Sequence, residues 1–257
     1  MRNTRLRVNI LGVGISAIKS HEAVQEMASW IEEGLRHYIN ICTVHTVMEC
    51  HRGHALQNIV NKSGISSPDG MPLVWLCRYH GHKDVDRVYG PDLMLAFCKY
   101  SVARGYRHFF YGGAPSIAKK LADEMKQRYP GLHVAGNHSP PYRAVGEMEE
   151  SSVIESINST NPDVVWVGLG TPKQDFWVAQ HRQLLNAPIL VAVGAAFDIL
   201  TGNIPQAPGW MQHCGLEWLF RLIKEPRRLA FRYLVYNPIF ILLVFLQLTG
   251  LRKYHTL

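Results

Sequence analysis

The chain has 257 residues, 47% hydrophobic and 18% charged, enough for a sizeable core in one large domain or one domain with an appendage. Its five cysteines (Cys42, Cys50, Cys77, Cys98, Cys214) are dispersed and include no Cys-x-x-Cys pair, which excludes a disulfide scaffold and fits reduced thiols in a cytoplasmic protein. The net charge of +7 is uneven: from Gly209 onward seven Arg and Lys stand against two Glu, a net +5, so the tail calls for an anionic partner such as lipid headgroups, a diphosphate or nucleic acid.

In chain order, the charged start Met1 to Thr4 is followed by an apolar stretch too short for a signal peptide, read as a strand over 6–11. A helical pattern over 20–35, a strand over 38–43 and a helix over 44–60 come next. Residues 66–72, Ser-Ser-Pro-Asp-Gly-Met-Pro, read as a tight polar turn between apolar stretches. Helices over 91–103, 115–129, 146–159 and 173–185 then alternate with strands over 108–111, 132–135, 164–168 and 189–193. Several strands are almost wholly apolar, as when helices cover both faces of a sheet. The alternation predicts an α/β fold with a mostly parallel, Rossmann-like sheet, whose ligands lie beyond the carboxyl ends of the strands.

Composition changes after Thr201, dividing the chain into an α/β domain over 1–205 and a basic helical appendage over 206–257. Trp218, Leu219, Leu222 and Ile223 share one side of a helical pattern, with Arg221 and Lys224 on another. Pro226 suits the first turn of a new helix, in which Arg228 and Arg232 lie four apart. Pro238 opens an apolar run of about 10 residues, short of the roughly 20 that a bilayer-spanning helix needs. The tail is expected to lie on a membrane as an amphipathic appendage, and one helix docking on the core is compatible with that.

Several turns carry candidate chemistry. A carboxylate on the Asp69-Gly70 turn is either plain turn chemistry or a general base at the mouth of a crevice. Asp92, after Gly90-Pro91, has the same ambiguity at a helix start. Gly168-Leu169-Gly170-Thr171-Pro172-Lys173-Gln174-Asp175 follows a strand and opens a helix, a setting that favours a phosphate. It is neither a Walker motif nor a dinucleotide fingerprint. Gly12-Val13-Gly14 is a weaker glycine pattern, and Gly112-Gly113 is another strand-to-helix turn that borders the crevice. The histidines of 45–54 read as surface residues, and Asp84-Val85-Asp86 as a solvated loop rather than a metal pair. A nicotinamide-type oxidoreductase lacks its third glycine, and a nucleic-acid binder would not interleave its basic residues with aliphatic ones.

The ordered set of motifs resembles the WecG/TagA/CpsF family, glycosyltransferase family 26, over nearly the whole chain. The motifs are Thr43, Pro-Asp-Gly (68–70), Gly-Pro-Asp (90–92), Phe-Tyr-Gly-Gly (110–113), Gly-Leu-Gly-Thr-Pro-Lys-Gln-Asp (168–175), Val-Gly-Ala-Ala-Phe-Asp (193–198), Gly-Leu-Glu-Trp-Leu-Phe-Arg-Leu (215–222) and Glu-Pro-Arg-Arg (225–228). The resemblance implies an inverting transfer, with no metal or other cofactor, from a UDP-sugar to a polyprenyl-diphosphate-linked saccharide. It implies Asp69 as general base, Thr43 and Gln174 beside it, and Arg221, Arg227 and Arg228 as cations closing over the leaving group. Gly70, Asp92, Gly112, Gly113, Gly168, Gly170, Pro172, Lys173 and Asp198 are the implied substrate-binding positions. The implied setting is the inner face of the cell membrane, with self-association possible for members of the family and no nucleic acid involved. Thr43-Val44-His45 and Gln206 depart from the commonest pattern, and the stretch after Asp69 is closer to the exopolysaccharide-assembly members. N-Acetylmannosamine, a uronic acid and glucose are the donor sugars considered. A non-catalytic scaffold in a polysaccharide assembly complex is the alternative reading.

Overall fold

A computed structural model describes residues 6–256; the first five residues of the expected α/β domain and Leu257 lie outside the described residues. The chain opens with β1 (Arg7–Ile10), β2 (Val13–Ser16), α1 (Ser20–Glu32), β3 (His37–Cys42), α2 (Val44–Arg52) and α3 (His54–Lys62). It continues through β4 (Ile65–Pro68), α4 (Met71–Tyr79), α5 (Gly90–Val102), β5 (Arg107–Gly112), α6 (Ile117–Arg128) and β6 (His133–His138). Then come α7 (Ser151–Ser159), β7 (Val164–Gly168), α8 (Lys173–His181), β8 (Ile189–Ala192) and α9 (Ala196–Leu200). The tail holds α10 (Gly209–His213), α11 (Glu217–Lys224), α12 (Pro226–Phe231), a π-helical turn (Arg232–Tyr236) and α13 (Asn237–Leu248).

Six strands form one parallel sheet in the order β4-β3-β8-β7-β5-β6. Alternate residues of the central strands feed opposite cores, because side chains on a strand point up and down in turn. Ile39, Phe110, Trp166 and Val191 join α1, α5 and α6 on one face. Tyr111, Val165, Val167 and Leu190 join α7 and α8 on the other. The expected α/β class with helices on both faces is the observed one.

Four expectations change in detail. The strand expected over 6–11 is one arm of an antiparallel hairpin outside the main sheet. Leu11 and Gly12, with φ of 52° and 88°, make its turn, so Gly12-Val13-Gly14 is hairpin chemistry. The helix expected over 44–60 breaks at the extended Gly53. The polar turn expected over 66–72 is the end of a buried strand followed by the start of α4. Ser66 is tolerated there because its hydroxyl donates to the Gly14 carbonyl and its N–H reaches Ser16 Oγ at 3.1 Å.

The fourth change concerns the tail. The π-helical turn shifts the hydrogen-bond register just ahead of Pro238, whose missing N–H would otherwise end the helix. The expected 10-residue run is thereby part of one 23-residue helical stretch, Pro226–Leu248, long and apolar enough by length and composition to cross a membrane. Tyr236, Phe240 and Leu243 bury themselves among Val8, Ile10, Val13 and Val47. Gln247 accepts from Leu11 N–H at 2.9 Å and donates to the Asn9 carbonyl at 2.8 Å. Phe231, Leu234, Ile241, Leu242 and Phe245 on the outer side are each more than half exposed. The single helix therefore docks with one side and presents an apolar surface with the other.

Candidate active site

The carboxyl ends of β4, β3, β8 and β7 lie side by side, and the tail helices face them. Asp69 follows β4 directly, and its N–H donates to the Cys42 carbonyl at 2.9 Å, so Asp69 and Thr43 leave neighbouring strands together. A Cβ added at Gly70 would sit 3.9 Å from Thr43 Cα. Thr43 caps α2: its hydroxyl accepts from Thr46 N–H at 3.3 Å.

The Asp69 carboxyl is 14% exposed, and burial lifts it to about 6 against the opposing pull of Arg87. Arg87, in the charged loop between α4 and α5, was not among the residues the sequence singled out. Its Nε donates to the Asp69 carbonyl at 2.7 Å and to Oδ1 at 3.0 Å, and its Nη2 lies 2.9 Å from Oδ1. The guanidinium lies over the ring of Tyr89 at 4.0 Å. Two tail residues take its remaining donors: Gln212 Oε1 at 3.1 Å and Glu217 Oε2 at 2.5 Å. Asp92 is exposed at the start of α5 and faces the charges of Arg87 and Glu217.

The tail arginines divide. Arg221 is 22% exposed, its charge favours ionised Asp69, and its buried Nε has no hydrogen-bond partner among the described residues. Arg227 and Arg228 are exposed, with Arg228 paired to Glu225 at 2.6 Å. Of the three expected arginines the structure thus brings one to Asp69. Arg232, which the sequence did not select, is half-buried beside Arg221 and faces His45. Burial and Arg232 hold His45 down at about 3, so its ring is neutral at ordinary pH. The spacing of Arg228 and Arg232 was legible, but Arg228 stays exposed while Arg232, where the π-helical turn begins, is half-buried.

The glycine turns serve packing as well as space. A Cβ at Gly112 would strike the Gly168 carbonyl at 2.6 Å, and one at Gly168 would strike the Phe197 ring at 2.9 Å. Gly113 meets Ile117 in the same way. Gly170, with φ of 76°, has nothing within 4 Å of an added Cβ and borders open space. Gln174 is buried beneath this turn, its Oε1 accepting from Gly170 N–H at 3.0 Å and Gly194 N–H at 2.8 Å. Pro172 follows a cis peptide bond. Lys173 turns to the 139–150 loop, donating to the Arg143 carbonyl at 2.8 Å with its ammonium 3.3 Å from the centre of the Tyr142 ring. Asp198 is engaged locally, its carbonyl accepting from Asn203 N–H at 2.8 Å and Ile204 N–H at 3.0 Å.

The arrangement offers one mostly buried carboxylate of raised basicity and a set of fixed cations around it, which suits deprotonating a hydroxyl next to a departing anion. Asp84 and Asp86 are exposed and lie 3.9 Å from Lys19 and 3.8 Å from Arg78 respectively. Among the described residues, no group of three or more His, Cys, Asp or Glu side chains is placed to hold a metal ion.

The family model described as "Glycosyl transferase WecG/TagA/CpsF family" matches residues 8–254. The chain is 31% identical over 179 residues, 68% of each chain, to a Bacillus spizizenii protein named N-acetylglucosaminyldiphosphoundecaprenol N-acetyl-beta-D-mannosaminyltransferase. A Staphylococcus aureus protein of the same name is 22% identical over 231 residues, 89% of each chain.

Proposed function

The chain belongs to the WecG/TagA/CpsF family of glycosyl transferases, and on that premise we propose that it moves a sugar from a UDP-sugar to a polyprenyl-diphosphate-linked saccharide. The reaction is a single displacement with inversion. Asp69 takes the proton of the acceptor hydroxyl as that oxygen attacks the anomeric carbon, the bond from that carbon to the UDP oxygen breaks, and UDP departs with the electron pair. Arg221 and Arg232, fixed at the same crevice, offset the charge that grows on the diphosphate, a role that calls for no metal ion. Thr43 and Gln174 set the frame: one caps α2 beside the base, and the other ties the Gly170 and Gly194 turns where the donor fits.

The observation that carries this reading is the Asp69 carboxyl, buried yet raised only to about 6, so that it is mainly ionised at neutral pH and still basic enough to accept a proton. The names of the relatives favour N-acetylmannosamine as donor sugar and an N-acetylglucosaminyl diphospholipid as acceptor, ahead of glucose or a uronic acid. A cell-surface polysaccharide is then the product class, and the exopolysaccharide-like stretch after Asp69 belongs within it. The outer side of the tail helix supports attachment to the cytoplasmic face of the membrane, with the helix lying along the surface because its inner side is taken by the hairpin and α2.

The test is UDP release from a panel of UDP-sugars in the presence of a polyprenyl-diphosphate-linked N-acetylglucosamine and EDTA, for the wild type and Asp69→Asn. Turnover with one sugar that survives EDTA and is lost in the variant supports the reading. A variant with undiminished turnover removes Asp69 as the base. UDP binding without turnover from any donor turns the reading toward a scaffold.

A further inference from the structure

Arg87 has two carboxylate partners, one on the catalytic sheet and one on the tail. Its Nη2 stands 2.9 Å from Asp69 Oδ1 and 2.5 Å from Glu217 Oε2, with the side chains of Arg87, Asp69 and Glu217 only 15%, 14% and 16% exposed. Glu217 opens α11, so the contact spans the junction between the α/β core and the appendage. One guanidinium shared by two carboxylates cannot neutralise both. Whichever holds it more closely leaves the other more basic.

We infer that Glu217 is a positioning residue for Asp69: by drawing off part of the Arg87 charge, it keeps the Asp69 carboxyl basic and makes that basicity conditional on the docked tail. The inference rests on Asp69 as the general base and deepens that reading. A lone Arg87 held on Asp69 by three contacts would give a well-stabilised, weakly basic carboxylate. Glu217 and burial oppose that effect, and Arg221 acts with Arg87. The other groups facing the carboxyl are Tyr89, Tyr233 from the π-helical turn and the Cys42 thiol from β3, and neutral phenols and a thiol do not replace the charge of Glu217; Asp92, exposed at the start of α5, faces Arg87 and Glu217. Gln212 Oε1, at 3.1 Å from Nη1, fixes the guanidinium plane without adding charge, so Glu217 is the tail's anionic handle on the base, set against the cation Arg221 of the same helix.

The test reads Asp69 directly. Protein labelled at aspartate carboxyl carbons is titrated by NMR, with the Asp69 signal assigned by its loss in Asp69→Asn. The wild-type signal is expected to titrate near 6. In Glu217→Gln, close to isosteric and neutral, the midpoint falls by about 1 pH unit, whereas the charge-conserving Glu217→Asp stays nearer the wild type. Glu217→Asn serves as the neutral variant should Glu217→Gln not give soluble protein. An unmoved midpoint in a folded neutral variant overturns the inference, because a tail anchor of purely structural role would not hold that titration in place. Failure of the base reading is scored separately, by turnover persisting in Asp69→Asn.

Discussion

Gln174 Oε1 accepts the Gly194 backbone N–H at 2.8 Å while also holding the Gly170 N–H at 3.0 Å, so one buried amide fastens the turns that follow β8 and β7. A single acceptor ties the turns beyond two strand ends together, and both turns carry glycines of positive φ. Gln174→Ala leaves two half-buried N–H groups without their protein acceptor, at a cost of about 1 kcal/mol each. The expected outcome is a lowered melting temperature together with at least a tenfold loss of kcat/KM. A variant that keeps full activity at unchanged stability would show that the turns are held by other means.

Asp69→Asn is expected to abolish turnover without weakening the fold at neutral pH. The folded carboxyl titrates near 6 against an ordinary value of 3.8, so the native state binds its proton more tightly than the unfolded chain does. The stability linked to this group is full below pH 4 and is lost as pH rises toward 6, on the order of 1–3 kcal/mol. Above pH 6.5 the variant should therefore melt at or above the wild-type temperature, with the advantage vanishing near pH 4. Melting curves from pH 4 to pH 8 check both the sign and the window.

Four of the five tail arginines should separate into two classes. Arg221→Ala and Arg232→Ala remove cations from the crevice, and each is expected to lower kcat by about 10²-fold, the scale of a lost transition-state donor. Arg227→Ala and Arg228→Ala, at exposed positions, should change kcat less than threefold and instead weaken binding to anionic vesicles. Equal kcat losses across all four would contradict the division.

The two sides of the tail helix make opposite predictions. Phe240→Ala empties a buried site against the hairpin and should cost about 3–5 kcal/mol in urea melts. Ile241→Ser with Phe245→Ser alters only the exposed side and should leave melting within about 0.5 kcal/mol while releasing the protein from vesicles. Co-sedimentation with liposomes measures the second effect, and persistence of binding would move the membrane contact elsewhere.

The parallel strands were legible because β7 and β8 are nearly all apolar, a pattern that survives without knowledge of neighbours. By contrast β4 hid behind Ser66, Ser67 and Pro68: the polarity of Ser66 is compensated by the hairpin, a partner about 50 residues away, and the Ser67 hydroxyl is buried with no hydrogen-bond partner among the described residues. The start of α4 carried a usable signal in Pro72 at its first turn, which the turn reading absorbed. Asp69 stood out through local turn chemistry. Arg87 and Glu217 had no such mark, because their pairing joins positions 130 residues apart and each reads, in its own stretch, as one more surface charge. The same holds for the tail: a 3.6-residue period shows which side of a helix is apolar, not which side finds a partner.

The bonds from Gln247 to Asn9 and Leu11, and from Asn9 Nδ2 to the Tyr254 carbonyl at 2.7 Å, join the two extremes of the chain. The hairpin precedes by more than 200 residues the segment 236–247 that packs on Val8, Ile10 and Val13, so this contact joins parts of the sequence made far apart in time. One side of the hairpin is covered early by Leu56, Val60, Leu73 and Val74, while the other is closed only by a contact of very high sequence separation, the kind that forms slowly. Docking of this helix thereby completes the core on its inner side and sets out an apolar surface on its outer side in a single step, and a variant lacking the helix would lose both together.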